Sequence, residues 1–416
     1  MEELSSKSCP ICRTPNSETM QTLACGNLDH SRLYPTLRIN ICHKCGHAFN
    51  VLSHQELDGL NHYYSFEYAP ANLHAPDKKA DVPGSDSQLT ANRYSQLYQA
   101  LSPHLREQHE ILDVGCALGG FLDYLKHRGF TRLSGVDMAE AYVEQAREKN
   151  RYRVELGNAE SLPFRDQEFD ALVMEQVLEH LADPIKAFQE AKRVLKSGGI
   201  FCIGVPDASR YADFYFFDFY WLLLREHIQH FDVDHLNLLA RNAGFEMLAH
   251  YQTTHAVMSE RMIMPNLYAV FRSQGFAGDM QENRLNGFTL KQRMTAYLDQ
   301  EKSRQLMKSR RIAELSKSGR PVYAWGIGRE FLYLYESAGL KNCRLAGLID
   351  GNKYKQKACS VDGRKIADPG DLLGRAAADS VLVITAIAHT DPIKTAARTM
   401  GFPGEIFDWD TNGNHS

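Results

Sequence analysis

The chain has 416 residues, of which 44% are hydrophobic and 24% charged, and its formal net charge is −4. That length exceeds one ordinary domain and implies two or three, each with enough apolar residues for a core. The slight negative charge supplies no basic field, which argues against a nucleic-acid partner, and no run of about 18 apolar residues marks a membrane span. The opening Met1-Glu-Glu-Leu-Ser-Ser-Lys7 has no apolar signal region, so a cytoplasmic location is expected. Nothing in the sequence specifies an oligomeric state.

Residues 1–75 carry two C-x2-C knuckles, Cys9-Pro-Ile-Cys12 and Cys42-His-Lys-Cys45. Two such turns can direct four thiolates at one tetrahedral ion, and in a reducing compartment this spacing fits Zn2+ better than disulfides. Four thiolates leave no open position for water, so the expected zinc is structural. Cys25 is surplus to that set, and Cys202, Cys343 and Cys359 are isolated, as small buried hydrophobes are. A polar Pro/Gly-containing stretch over residues 76–87 reads as a linker, and a helix is expected over residues 89–101.

The next unit, 88–272, opens with Ile111-Leu-Asp-Val-Gly-Cys-Ala-Leu-Gly-Gly120, a buried strand running into a glycine-rich turn. Gly115 and Gly119 let the backbone turn tightly and approach a ligand closely. Leu133-Ser-Gly-Val-Asp137 reads as a second strand, and an acid about 20 residues past the turn can accept hydrogen bonds from ribose hydroxyls. A dinucleotide site would ask for three glycines. The Asp113-x-Gly115-x-Ala117-x-Gly119 pattern instead resembles the first motif of class I S-adenosylmethionine (SAM) methyltransferases.

Further resemblances follow in order. Gly157-Asn-Ala-Glu160 with Leu162-Pro-Phe164 resembles the adenine loop, and Phe169-Asp-Ala-Leu-Val-Met174 the fourth strand. Glu175-Gln-Val-Leu-Glu-His180 resembles the segment after it, and Val194-Leu-Lys-Ser-Gly-Gly199 the turn before strand five. The resemblance implies SAM as cofactor, with Asp113, Gly115, Cys116, Ala117, Gly119, Asp137, Met138, Asn158, Ala159, Glu175 and Gln176 around it. Asn158 stands where the family usually has Asp, but an amide can still accept from the adenine amino group.

Residues 288–318 form a helical connector, with Leu290, Met294, Tyr297 and Leu298 at helical spacing and Gly319-Arg-Pro321 as its stop. In residues 319–412 the earlier theme returns. Pro321-Val-Tyr-Ala-Trp-Gly-Ile-Gly328 is a strand and glycine turn, Leu345-Ala-Gly-Leu-Ile-Asp350 a second strand with an acid at its tip, and Asp379-Ser-Val-Leu-Val-Ile-Thr385 a further strand. The expected fold class is therefore α/β: a class I SAM methyltransferase Rossmann-like core between an N-terminal zinc module and a second, C-terminal Rossmann-like domain.

That order of units resembles the sugar C-methyltransferases acting on nucleotide-activated deoxysugars. Supporting strings are Tyr34-Pro-Thr-Leu-Arg-Ile-Asn-Ile-Cys42, Tyr63-Tyr-Ser65 and Arg225-Glu-His-Ile-Gln-His-Phe231. The resemblance implies a small-molecule nucleotide-sugar substrate, from which a base removes the proton beside a carbonyl so that the enolate carbon attacks the SAM methyl. Arg225-Glu226-His227 resembles the family's His-Glu-His motif, which makes His227 the candidate base and Glu226 a group that orients it or binds sugar hydroxyls. His180 could hydrogen-bond the sugar or its oxyanion.

Departures from the pattern alter the pocket: Arg225 replaces the first histidine, Leu224 the preceding tyrosine, and His230 the following one. The family's N-terminal tyrosine matches Tyr63, with Tyr64 and Tyr68 as rivals. The aromatic run 211–221 suits stacking on a sugar or base, or a core or interface helix. The alternative reaction is O- or N-methylation of a sugar or another small molecule. An RNA or protein methyltransferase is disfavoured because Lys and Arg do not cluster around the knuckles, whose spacer holds Glu18 and Asp29. A non-catalytic scaffold is disfavoured by the intact cofactor motifs.

Overall fold

Three sheets organise the chain in a computed structural model that describes residues 8–73, 82–150, 152–214, 220–257, 259–274, 288–407 and 409. The largest has seven strands in the order Phe245–Val257, Ser259–Ser273, Leu195–Pro206, Phe169–Glu175, Ile111–Val114, Leu133–Asp137 and Arg153–Leu156. The last five are parallel, whereas Ser259–Ser273 runs antiparallel to both its neighbours. Every residue of Ile111–Val114 is buried, as a central parallel strand covered on both faces requires.

One face packs on Leu97, Leu101, Leu122 and Val143. The other packs on Phe188 and Leu239 from the helices Pro184–Val194 and Val233–Asn242. This strand order with a single reversed strand is the class I SAM methyltransferase fold. Among the described residues no helix is long and apolar enough to cross a membrane.

The N-terminal unit does not close on itself. Its sheet contains Ser17–Ala24, Thr36–Cys42 and Ala48–Asn50, and its fourth strand is Gln229–His230, contributed from beyond the central sheet's fifth parallel strand. Ala48 pairs with His230 and Phe49 with Gln229. The knuckle residues Cys9, Ile11, Cys42 and Cys45 share a core with Phe231 and Leu236. Leu33, Leu37 and Leu60 share another with Leu298 of the long helix Phe288–Lys317 and Phe331 of the C-terminal unit.

The C-terminal sheet has six strands, ordered Ser360–Val361, Arg364–Ala367, Leu345–Ile349, Val322–Trp325, Val381–Ile384 and Glu405–Ile406. It is parallel apart from the edge strand Ser360–Val361. Its glycine turn follows Val322–Trp325, at the point where strand order reverses, the position at which doubly wound sheets bind ligands.

The stretch read as a linker behaves differently where it is described. Gly84, at φ +75°, lies against the cofactor-type turn so closely that a Cβ there would stand 2.3 Å from Leu118 N. In return, a Cβ on Gly120 would stand 2.4 Å from Gly84 O. Backbone thus packs on backbone, which only paired glycines permit. Gly84→Ala should destabilise the protein by about 1–3 kcal/mol through the left-handed backbone and the clash together. Denaturant unfolding measures this, and an unchanged midpoint would contradict the packing.

Candidate active site

The cofactor-type turn is held by hydrogen bonds to its own backbone. Asp137, at the tip of the second parallel strand, accepts from Ala117 N–H and from Ala139 N–H, each at 2.9 Å. Ala117 itself adopts φ +45°, and Gly115 and Gly119 both sit at +77°. A Cβ on Gly115 would stand 2.4 Å from Val177 Cγ2. Cys116 is buried and its Sγ fills the space beside Gly135, where a Cβ would meet it at 2.7 Å.

Asp113 and Glu175 lie at neighbouring strand ends. Burial, reinforced by Glu175 and Asp137, pushes the Asp113 carboxyl up to about 7. Burial likewise pushes Glu175 up to about 7. Glu175 Oε2 is buried without a hydrogen-bond partner among the described residues, and the absence of a side chain on Gly204 makes room for it. An orphaned buried carboxyl oxygen beside a glycine turn suits a cationic ligand such as SAM, with its sulfonium and ammonium groups.

Gln176 is strained at φ +54° and donates through Nε2 to Asn266 Oδ1 at 2.9 Å. Met138 is half-buried and Ala159 buried. Asn158 is exposed, and its Oδ1 already accepts from Glu160 N–H at 3.0 Å.

The four knuckle thiols converge. All four sulfur atoms lie within 4.8 Å of one another, with Cys9–Cys45 at 3.6 Å and Cys12–Cys42 at 3.5 Å. A tetrahedral ion with Zn–S bonds of about 2.3 Å places its sulfurs about 3.8 Å apart, so the set fits Zn2+. Cys25 lies outside the cluster. The second knuckle is braced from behind: His235 donates from Nε2 to Cys45 O at 3.0 Å, and its Nδ1 stands 2.6 Å from Asp232 Oδ1.

A second constellation forms beyond the strand Phe169–Glu175. His180 and His227 meet edge to face with ring centroids 4.8 Å apart, and Glu179 lies beside both. His180 Nδ1 is 2.7 Å from Tyr64 Oη and 2.9 Å from Glu226 O. A carbonyl only accepts, so Nδ1 carries the proton and Nε2 keeps the lone pair. Burial, then the adjacent His180 and His230, pull His227 well below the ordinary histidine value and favour its neutral imidazole form.

Tyr64, rather than Tyr63, reaches His180. Both lie on the π-helical segment Tyr63–Tyr68, which also carries Tyr68, and the three rings meet in T-shaped or tilted pairs with centroids 5.3–5.9 Å apart. His230 is fully buried in its ladder, with neither ring nitrogen hydrogen-bonded among the described residues, and burial lowers it to about 3. Arg225 is an anchor: it donates to Gly26 O and Tyr34 O and lies near Asn27 Oδ1. Of the aromatic run, residues 215–219 lie outside the described residues, while Tyr211, Tyr220 and Trp221 are core.

Sequence reasoning passed over Glu179 and Arg329. Glu179 is 1% exposed, and a buried acid preceding a histidine straight after a buried strand was the available signal. Arg329, just past the C-terminal unit's glycine turn, places its guanidinium 3.3 Å over the Trp221 ring, and the Glu226 charge acts on it. Only the tertiary structure brings its charge to act on Tyr63 and His227.

Residues 86–250 match the model of a family described as a methyltransferase domain. A probable S-adenosylmethionine-dependent methyltransferase of Mycolicibacterium smegmatis is 32% identical over 128 residues, covering 30% of this chain and 49% of that protein. A demethylmenaquinone methyltransferase of Symbiobacterium thermophilum is 35% identical over 129 residues, covering 28% and 51%. The chain spans about a third to a half of the length of the curated relatives it matches. A SAM-dependent methyltransferase structure from Methanosarcina mazei, 21% identical, covers 42% of this chain and 98% of its own at a TM-score of 0.36. Over residues 86–250, the stretch that carries the glycine turn and Asp137, the chain is thus similar to methyltransferase domains.

The two raised carboxyls make cofactor binding pH-dependent. A carboxyl titrating near 7 gains its negative charge as pH rises, and the carboxylate attracts the cationic cofactor. SAM affinity should therefore rise as pH increases through about 7. Calorimetric titration across that range tests it, and a pH-independent affinity would exclude both groups from the cofactor's surroundings.

Proposed function

We propose that the protein is a SAM-dependent methyltransferase acting on a nucleotide-activated keto-sugar, with methyl transfer to the carbon beside the carbonyl. The carrying observation is the neutral, buried His227 against His180 beyond the cofactor strands, with Tyr64 of the N-terminal unit on its other side. Bound SAM supplies an electrophilic methyl on sulfur. The protein must then supply a carbon nucleophile in line with it and keep water away.

His227 takes the proton beside the carbonyl into its lone pair. His180 is held by its Nδ1 contact to the Glu226 carbonyl, and Tyr64 Oη, beside the same Nδ1, is the hydroxyl that would hydrogen-bond the developing oxyanion. Glu226 and Arg329 provide opposite charges at the edge of the same region. They suit the hydroxyls and the diphosphate of a nucleotide sugar respectively. The thiolate set binds one structural Zn2+ and holds the N-terminal unit's tyrosines and third strand in place.

Incubation with methyl-labelled SAM and a panel of nucleotide sugars tests the reading by where the label appears. Label on a ring carbon of a keto-sugar supports it, label on a hydroxyl points to O-methylation, and no transfer to any sugar sinks both. His227→Ala should lower turnover by at least about 100-fold while leaving SAM binding intact; unchanged turnover removes His227 from the chemistry. Metal analysis after exhaustive dialysis should find about one zinc per chain, lost in Cys42→Ser together with cooperative unfolding of the N-terminal unit. Retained activity without zinc would refute the structural role.

A further inference from the structure

We propose that Glu179, His180 and His227 form a second metal site, which takes a divalent cation of the Mn2+, Co2+ or Zn2+ type through one carboxylate and two imidazoles. One donor atom from each residue lies within 4.8 Å of the others, and Glu179 Oε1 is 3.8 Å from His180 Nε2. Bonds of about 2.0–2.2 Å from one ion place tetrahedral donors about 3.3–3.6 Å apart, close to the Glu179–His180 pair, and the other separations would contract on binding. Glu179 is 1% exposed and neither carboxyl oxygen has a hydrogen-bond partner among the described residues. His227 is 6% exposed and its Nδ1 is likewise unpartnered.

Buried polar groups left without hydrogen bonds are costly, and a cation shared among them removes that cost. The outer contacts are those of a metal ligand. His180 Nδ1 is bonded to Glu226 O, which orients the ring and presents the Nε2 lone pair inwards. The donor set also differs in kind from the four thiolates: nitrogen and oxygen here, sulfur there, so the two sites select different ions and exchange them at different rates. Three protein ligands leave coordination positions open for an acceptor oxygen.

This inference concerns the same acceptor site as the methyl-transfer reading and has a definite relation to it. A neutral imidazole has one lone pair, so His227 cannot ligate an ion and act as a base at once. Cation occupancy should therefore inhibit turnover if His227 is the base.

The test is a Co2+ titration of the full-length protein whose thiolate site is already filled with zinc. One further equivalent should bind, with the visible bands of nitrogen- and oxygen-ligated cobalt and no thiolate charge-transfer band. Glu179→Gln, nearly isosteric, should weaken that equivalent by at least about tenfold, with SAM binding retained as the check on folding. Absence of a second equivalent in the wild type, or an affinity in Glu179→Gln and His227→Ala unchanged from the wild type, overturns the site. Because cobalt binding is read without substrate, failure of methyl transfer leaves this result legible. Turnover that requires the cation would uphold the site and instead overturn the base role of His227.

Discussion

The acceptor end of the molecule depends on a short ladder between Ala48–Asn50 and residues 227–230. Ala48 and Phe49 pair with His230 and Gln229, Asn50 N–H donates to Ile228 O at 2.7 Å, and Asn50 Nδ2 donates to His227 O at 2.8 Å. His47 Nε2 adds a bond to Gln229 Oε1 at 2.9 Å. Residues 47–50 follow directly on Cys45, so whatever holds the four sulfurs together also holds the strand that positions His227. The N-terminal unit thus packs against the segment that carries His227, and the geometry of the cysteine cluster reaches that segment through the backbone. Each buried hydrogen bond of this ladder contributes about 1 kcal/mol net, but an orphaned partner would cost more, so the set stands or falls together.

The two glycine turns use one device. In the central unit Asp137 accepts from the turn's Ala117 N–H, and in the C-terminal unit Asp350 accepts from Ile327 N–H, both at 2.9 Å. A carboxylate at a strand tip thereby fixes the loop that leaves the neighbouring strand. The difference lies in neutralisation. Asp350 also pairs with Lys355 at 3.0 Å, whereas burial pushes Asp113 and Glu175 up to about 7, with Arg93 acting against that shift on Glu175. Desolvation therefore governs the acids near the first turn, and a lysine pair the acid of the second.

Burial dominates the electrostatics between them. His180, His227 and His230 are all shifted downwards, and Glu179 is shifted well upwards, so the cluster is composed of neutral groups. Two uncharged imidazoles with free lone pairs beside an unpartnered carboxyl can accept either a proton or a cation. That shared capacity follows from desolvation and holds whichever of the two is bound.

Local sequence carried much of this. Glycine spacing, strand hydrophobicity and the terminal acids Asp137 and Asp350 identify both Rossmann-like units because those features are short-range requirements of a strand, a tight turn and a helix. The knuckles are equally legible, since two C-x2-C turns encode their own geometry. The acceptor site was only partly readable: His180 and His227 were visible as residue types, but their contact spans 47 positions and passes through a ladder with residues 48–50. That Tyr64 is the tyrosine bonded to His180 depends on the phase of a π-helical turn, which composition does not specify. Likewise, Arg225 could not be read as an anchor until Gly26 and Tyr34 were seen to accept from it. The sequence by itself determined the cofactor class and the candidate metal ligands of the knuckles, because both are written in contiguous segments. The tertiary structure alone decided which side chains share a desolvated pocket, because burial and long-range hydrogen bonds belong to no single segment.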